Sequence, residues 1–330
     1  MPRIPLVAGG AGFIGSALVR RLAAAGPVRV LDDLSTGSRA NLEGVPGVDL
    51  RVGSILDDRA VAASLDGADP VFHLACLGVR HSIHRPLDNH EVNATGTLRL
   101  LEAARRSGVR RFVYTSTSEV YGTAERVPMD EDHPAWPHTV YGGSKLAGEA
   151  YARAYHRTYG MATVVLRPFN AYGPRSHHEG DSGEVIPKFL VRALNGLPPT
   201  VFGDGTQTRD FTYVDDTARG IDLAARCDAA VGETINLGSG REVRILDLAG
   251  IVARAADRPD LRPETVPPRP GDVLRLSAGA AKAERLLGWR PEVGLEDGLA
   301  RLLEWHRARG TDWAAALRED VARNWEGPGR

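Results

Sequence analysis

Short apolar runs alternate with helix-length amphipathic stretches along the first half of the chain. Ile4–Ala8, Val28–Leu31, Val48–Val52, Pro70–Leu74, Arg111–Thr115 and Ala162–Leu166 read as strands, because brief β-branched or apolar runs end in turn residues. Between them, Phe13–Ala25 places Ile14, Leu18 and Leu22 on one helical face, and Glu91–Arg106 does the same with Leu98, Leu101 and Ala104. Such alternation predicts an α/β fold, a doubly wound parallel sheet of Rossmann type covered on both faces. A third helix is predicted over Val140–Tyr159. The second half is more broken, with Pro and Gly gathered at Leu197–Gly205 and Arg262–Gly271. Helical patterns persist there at Val185–Asn195, Val214–Arg226, Leu246–Ala256 and Leu295–Arg307. This suggests a dinucleotide-binding domain over 1–167, with about 210–240 returning to it, and a smaller α/β substrate domain from 168–209 and 241–330. The last dozen or so residues read as a fraying tail.

Composition narrows the function classes. The 330 residues carry a formal net charge of -1, so bulk electrostatics give no reason to expect a nucleic-acid partner. No apolar run approaches the roughly 20 residues that span a bilayer, and no leader-like segment opens the chain; a cytoplasmic protein without a membrane partner is the expectation. The two cysteines, Cys76 and Cys227, have no paired spacing, so neither a disulfide nor a metal site is expected and both read as small buried residues. The neighbours His177 and His178 read as a polar loop rather than a metal site, since adjacent histidines without carboxylate partners in the sequence pattern make a poor ligand set.

Gly9-Gly10-Ala11-Gly12-Phe13-Ile14-Gly15 links the first strand to the first helix. Glycines serve there where the chain turns, where it approaches a pyrophosphate, and where helix packs on strand. The helix N-terminus offers free N–H groups and a positive dipole end to phosphates. The second strand runs into Asp32-Asp33, about 20 residues on, where a carboxylate takes the adenosine ribose hydroxyls and repels a 2′-phosphate. NAD is the expected cofactor. Further along, Tyr141 and Lys145 stand at i and i+4 on the predicted Val140–Tyr159 helix and so share a face. An ammonium beside a phenol favours the phenolate, which can take a proton from a sugar alcohol. Thr115-Ser116-Thr117-Ser118-Glu119 ends the fifth strand, where such sheets face their ligand; Thr117 is placed to hold the reacting oxygen, with Ser118 and Glu119 beside it.

These motifs, with His73-Leu74-Ala75, Asn93, Gly96-Thr97 and Arg167-Pro168-Phe169-Asn170, resemble the extended short-chain dehydrogenase/reductase family over nearly the whole chain. Gly173-Pro174-Arg175, Gly203-Asp204-Gly205, Arg209-Asp210-Phe211-Thr212-Tyr213 and Arg269-Pro270-Gly271-Asp272 resemble its nucleotide-sugar branch. The resemblance implies that Ser35, Thr36, Gly37 and Ile55 join the glycine loop around the cofactor's adenosine, and that Leu74, Ala75, Asn93, Thr115 and Pro168 lie along the rest of it. It implies that Asn170, Arg209 and Arg269 hold the pyrophosphate and sugar of a UDP- or dTDP-linked substrate, with Lys188 nearby, and that Phe189, Thr200 and Phe202 surround the base. It also implies a homodimer through the Glu91–Arg106 and Val140–Tyr159 helices. Ser54 departs from the pattern, since the branch usually carries there a carboxylate that contacts adenine.

All members begin by oxidising the sugar at C4. Thr117-Ser118-Glu119 resembles UDP-glucuronate decarboxylases and GDP-mannose 4,6-dehydratases alike; decarboxylation is the leading reading, in which Arg209 or Arg175 would meet a C6 carboxylate by its guanidinium fork. A 4-epimerase and a 4,6-dehydratase stay open as alternatives. A sensor that binds dinucleotide without catalysis would not require Tyr141 and Lys145, and a net dehydrogenase would release NADH in bulk.

Overall fold

The structure is a computed structural model that describes residues 3–326. Its strands, in chain order, are β1 (Ile4–Ala8), β2 (Val28–Asp32), β3 (Val48–Val52), β4 (Ala68–His73), β5 (Arg111–Thr115), β6 (Ala162–Pro168), β7 (Asn170–Tyr172), β8 (Thr200–Phe202), β9 (Thr208–Tyr213), β10 (Thr234–Leu237), β11 (Glu242–Arg244) and β12 (Glu264–Val266). A seven-stranded sheet runs β10-β6-β5-β4-β1-β2-β3 with every pairing parallel. Read from β3, this is the doubly wound order, which reverses between β1 and β4 and opens a crevice at the strands' carboxyl ends.

The pleat sorts the strand residues into two cores. Leu6, Ala8, Phe112 and Tyr114 face the layer that holds Leu65, Leu100, Leu101 and Ala152, while Val7 and Val113 face Leu18, Leu22, Ile221 and Trp289. Both faces are therefore apolar, and β2 is buried at all five positions. The edge strand β3 is only half covered, which suits its Asp49 and Arg51.

The helices follow the predicted pattern with local changes. Val140–Tyr159 forms as expected, opened by the Thr139 hydroxyl accepting from Gly142 N and closed by Gly160 at φ 66°. The predicted Glu91–Arg106 helix instead divides into a π-helical turn over Glu91–Gly96 and an α-helix over Thr97–Arg106. Beyond β6 the chain builds a small sheet, β11-β9-β7, and a two-stranded one, β12-β8. These pack around Phe189, Leu190, Val201, Phe211, Leu248, Val252 and Leu302, a third core that lies over the carboxyl end of the large sheet. No helix of the described residues is long and apolar enough to cross a membrane.

Candidate active site

One deep cleft runs between the carboxyl ends of β1, β2, β4, β5 and β6 and the smaller sheets. At one end, the Phe13–Ala23 helix begins at Gly12 with no side-chain cap and no acidic residue in its first turn. Its free N–H groups are thus left for an anion. The loop can come this close only because Gly15 lacks a side chain, since a Cβ there would collide with the Gly9 carbonyl oxygen. Asp32 closes β2 and its carboxylate accepts from Ala11 N at 2.9 Å and Leu34 N at 2.9 Å. Burial pushes this carboxyl up and the two backbone donors oppose it. Asp33 is exposed and accepts from Ser35 N and Ser35 Oγ. Gly9, Gly12, Phe13, Ile14 and Gly15 line this half of the cleft together with Asp32, Asp33, Ser35, Thr36 and Ile55. Leu74, Ala75, Thr115 and Pro168 line its inner part, where Thr115 Oγ1 is buried without a hydrogen-bond partner. An uncapped helix start, a carboxylate at the second strand's end and an unsatisfied hydroxyl farther in fit a dinucleotide lying across the crevice.

Two residues expected at the cofactor do not line the cleft. Asn93 is buried at 1% exposure and holds the loop after β4, accepting from Leu77 N and donating to the Leu77 carbonyl. It sits in the π-helical turn, whose extra residue per turn lets it face that loop. Gly37 packs behind Asp32 and Ala11. Ser54 also stays off the cleft, with its hydroxyl accepting from Leu56 N.

Thr117, Ser118, Glu119, Tyr141 and Lys145 meet at the middle of the cleft. Thr117 caps the short turn Ser118–Val120 by accepting from Glu119 N at 3.2 Å. The Val140–Tyr159 helix lies directly against that turn, because a Cβ at Gly142 would stand 2.7 Å from the Glu119 carbonyl oxygen. Lys145, 2% exposed, donates from Nζ to the Thr115 carbonyl at 2.6 Å and lies 4.6 Å from the Tyr114 ring centroid. Burial lowers its pKa. The Tyr141 phenol is pushed well above its ordinary value, first by burial, then by Cys76, Glu119 and Glu184, with a hydrogen bond from Thr117 opposing. In the protein alone, burial and these neighbours hold the phenol protonated, and the Lys145 ammonium is engaged by the Thr115 carbonyl at the strand end. Beneath the site, Ser116 Oγ donates to Glu149 at 2.6 Å, and Arg167 Nε and Nη2 donate to the same carboxylate at 2.9 and 2.7 Å.

The other end of the cleft is lined by Asn170, Lys188, Phe189, Thr200, Phe202, Arg209 and Arg269. Asn170 Oδ1 is buried without a partner. Arg209 and Arg269 both donate to Asp272 Oδ1, and Arg209 also donates to the Thr208 and Val273 carbonyls. Lys188 is committed elsewhere, paired with Asp320 at 2.7 Å. Arg175, expected at a sugar carboxylate, lies outside the cleft; its φ of 70° turns the chain and its Nε donates to Ser16 Oγ at 3.0 Å. Cys76 is half-buried and lines the cleft rather than sitting in a core.

Sequence reasoning missed three features. Arg80, one residue into the Val79–His84 helix, reaches the cleft beside Glu119, Glu184 and Asp272, and only charge and burial act on it; burial lowers its pKa to about 10. Glu184 lines the cleft too, with Oε2 buried and unpartnered and its pKa pushed up to about 7 by burial. The segment 319–326 does not fray but docks on the cleft, where Trp325 is 7% exposed; residues 327–330 lie outside the described ones. A tryptophan among polar residues near a chain end was the available signal. His177 bonds Glu179 at 2.7 Å, and among the described residues no group of three or more His, Cys, Asp or Glu is arranged to hold a metal ion.

The sequence profile of the NAD dependent epimerase/dehydratase family matches residues 5–238. A UDP-glucose 4-epimerase of Mycolicibacterium smegmatis is 40% identical over 311 residues, covering 92% of this chain and 98% of that protein. UDP-glucuronic acid decarboxylase 1 of Arabidopsis thaliana is 36% identical, covering 92% of this chain and 70% of that protein. The crystal structure of DesIV, a dTDP-glucose 4,6-dehydratase from Streptomyces venezuelae solved with NAD bound, superposes with a TM-score of 0.87 at 38% identity, covering 92% of this chain and 97% of that one.

Proposed function

We propose that this chain, which belongs to the NAD dependent epimerase/dehydratase family, is an enzyme that oxidises a nucleotide-sugar at C4 and decarboxylates it, its substrate being an NDP-hexuronate. The observation that carries the hexuronate is Arg80. Its guanidinium faces the sugar end of the cleft without a hydrogen-bond or ion-pair partner among the described residues, while Arg209 and Arg269 are already matched with Asp272. A half-buried, unmatched fork of donors suits a carboxylate.

Bound across the crevice, NAD supplies a hydride acceptor and a positive charge beside the phenol. Tyr141 takes the proton of the C4 hydroxyl, and Thr117 holds that oxygen against it. Burial disfavours the phenolate in the protein alone, so proton removal is coupled to the arrival of positive charge. Lys145, anchored on Thr115, keeps a cation on the same helix face one turn away. The resulting 4-ketone makes the C6 acid a β-keto acid, which loses carbon dioxide as electrons flow into the ketone. Arg80 holds the carboxylate until the C–C bond breaks, and Glu119 orients the water or proton that C5 takes up. The hydride removed from C4 then returns to that carbon while Tyr141 gives its proton back to the oxygen, so the turnover is redox-neutral.

A second reading is 4-epimerisation, which the identity to a UDP-glucose 4-epimerase favours and which asks less of Glu119. A homodimer through the Thr97–Arg106 and Val140–Tyr159 helices is part of the proposal, supported by the exposed Leu98 and Tyr159; sedimentation velocity at micromolar protein tests it. UDP- and dTDP-glucuronate, with UDP-glucose as comparison, test the reaction through product mass. Loss of carbon dioxide supports the first reading, unchanged mass the second, and loss of water would replace both by dehydration.

A further inference from the structure

The segment 319–326 is tied to the cleft by side chains from several directions. Asp320, its carboxylate 5% exposed, lies 2.7 Å from Lys188 Nζ and 3.6 Å from Arg192 Nη1. Lys188 Nζ also donates to the Val321 carbonyl at 2.6 Å. Glu319 lies 3.3 Å from His178 Nε2. Asn324, 5% exposed, donates from Nδ2 to the Gly180 and Gly183 carbonyls at 3.0 and 3.3 Å, bracing the turn that leads into Glu184. Trp325 then meets Phe202 with ring centroids 4.8 Å apart and planes at 80°. Asp320, Asn324 and Trp325 all line the cleft at the end bounded by Thr200 and Phe202.

We propose that this segment is the outer wall of the nucleobase end of the substrate cleft, with Trp325 a binding residue against which the base of a nucleoside diphosphate-sugar packs. The inference rests on the nucleotide-sugar reading above. Rings 4.8 Å apart leave no room for a base between them, so the edge-on contact makes a corner of two aromatic surfaces. A flat heteroaromatic base gains from stacking on such surfaces whatever its hydrogen-bonding edge. Lys188 and Arg192 both meet Asp320, and this shared pairing holds the segment against the cleft.

An alternative arrangement, a strap that must leave before nucleotide enters, predicts the opposite response to removal. The test compares the full chain with Trp325→Ala, Trp325→Phe and a chain ending at Arg318. It measures kcat and KM for the nucleotide-sugar the full chain converts, and the affinities for UDP, dTDP and NAD by calorimetry. Trp325→Ala is expected to raise KM and weaken UDP or dTDP binding about tenfold, leaving kcat and NAD affinity within about twofold, because a contact kept through the reaction appears in KM. Trp325→Phe restores most of the loss, and the truncation loses at least as much as Trp325→Ala. Unchanged or tighter nucleotide binding in either the truncated chain or Trp325→Ala overturns the proposal. A full chain that binds UDP or dTDP yet converts no nucleotide-sugar would refute the proposed reaction, while the calorimetric comparison would still decide the wall.

Discussion

Replacing Glu149 by alanine removes the acceptor on which Ser116, Arg153 and Arg167 converge. Glu149 is 0% and Arg167 4% exposed, so the variant leaves a guanidinium buried with no carboxylate opposite. Breaking a buried pair from one side costs about 3–5 kcal/mol, mostly for the stranded charge rather than for the lost attraction. Urea denaturation, followed by tryptophan fluorescence and far-UV dichroism together, should show that loss as a lower midpoint at unchanged m. Removing both charges, with Glu149→Leu and Arg167→Met, should recover about half of it or more, since no stranded charge remains. Full recovery is not expected, because Arg167 also donates to Tyr121 Oη at 2.8 Å and its guanidinium lies over that ring. The sign with pH is fixed as well. Burial alone would raise the Glu149 pKa, but the Arg167 guanidinium wins and holds it below the ordinary 4.5. The stability it confers is present above that value and fades as pH falls through the lower folded one. A single-variant loss under about 1 kcal/mol, or a double variant no better than the two single losses summed, would refute the reasoning.

Other expectations follow from the cleft. Tyr141→Phe should lower nucleotide-sugar turnover by about 10²–10⁴-fold while NAD affinity, measured by calorimetry, holds. Gly15→Ala should abolish NAD binding, since the added methyl has nowhere to go between the helix start and the Gly9 carbonyl; a folded, NAD-binding variant would contradict the placement of the loop. Arg80→Met should raise KM for a glucuronate substrate far more than for its glucose counterpart, and equal effects would remove the case for a C6 acid. Glu184 carries a raised pKa, about 7 against an ordinary 4.5, so its contribution to stability declines as pH rises between those values. Glu184→Gln should flatten that part of the pH profile of the urea midpoint.

The large sheet was legible because its strands are apolar on both faces and separated by helices with a clear 3.6-residue period. Val140–Tyr159 and Val214–Arg226 were found to the residue. β10, the four-residue edge strand of the large sheet, and the short strands β7, β8, β9, β11 and β12 were not predicted as strands, because runs of three to six residues carry little periodicity of their own. The candidate site divides in the same way. Residues fixed by local backbone needs, such as Gly15 and Asp32, and residues on one helix face, such as Tyr141 and Lys145, could be read directly. Arg80 and Glu184 could not, because nothing nearby in sequence distinguishes a charge that folds into a cleft from one that faces water. Asn93 was assigned to the cofactor from its motif, whereas its side chain bonds the Leu77 backbone instead. The docking of Trp325 on Phe202 joins residues more than a hundred positions apart, which no local pattern encodes.

The central claim is that the sugar's C4 hydrogen leaves and returns within one turnover. It is tested most directly by UDP-glucuronate and UDP-glucose deuterated at C4, each incubated with the protein and catalytic NAD. The prediction is slower turnover of the deuterated substrate, a product that keeps its deuterium at C4, and no accumulation of NADH absorbance. Conversion at the same rate as the protiated sugar, with NADH rising in step with product, would contradict it.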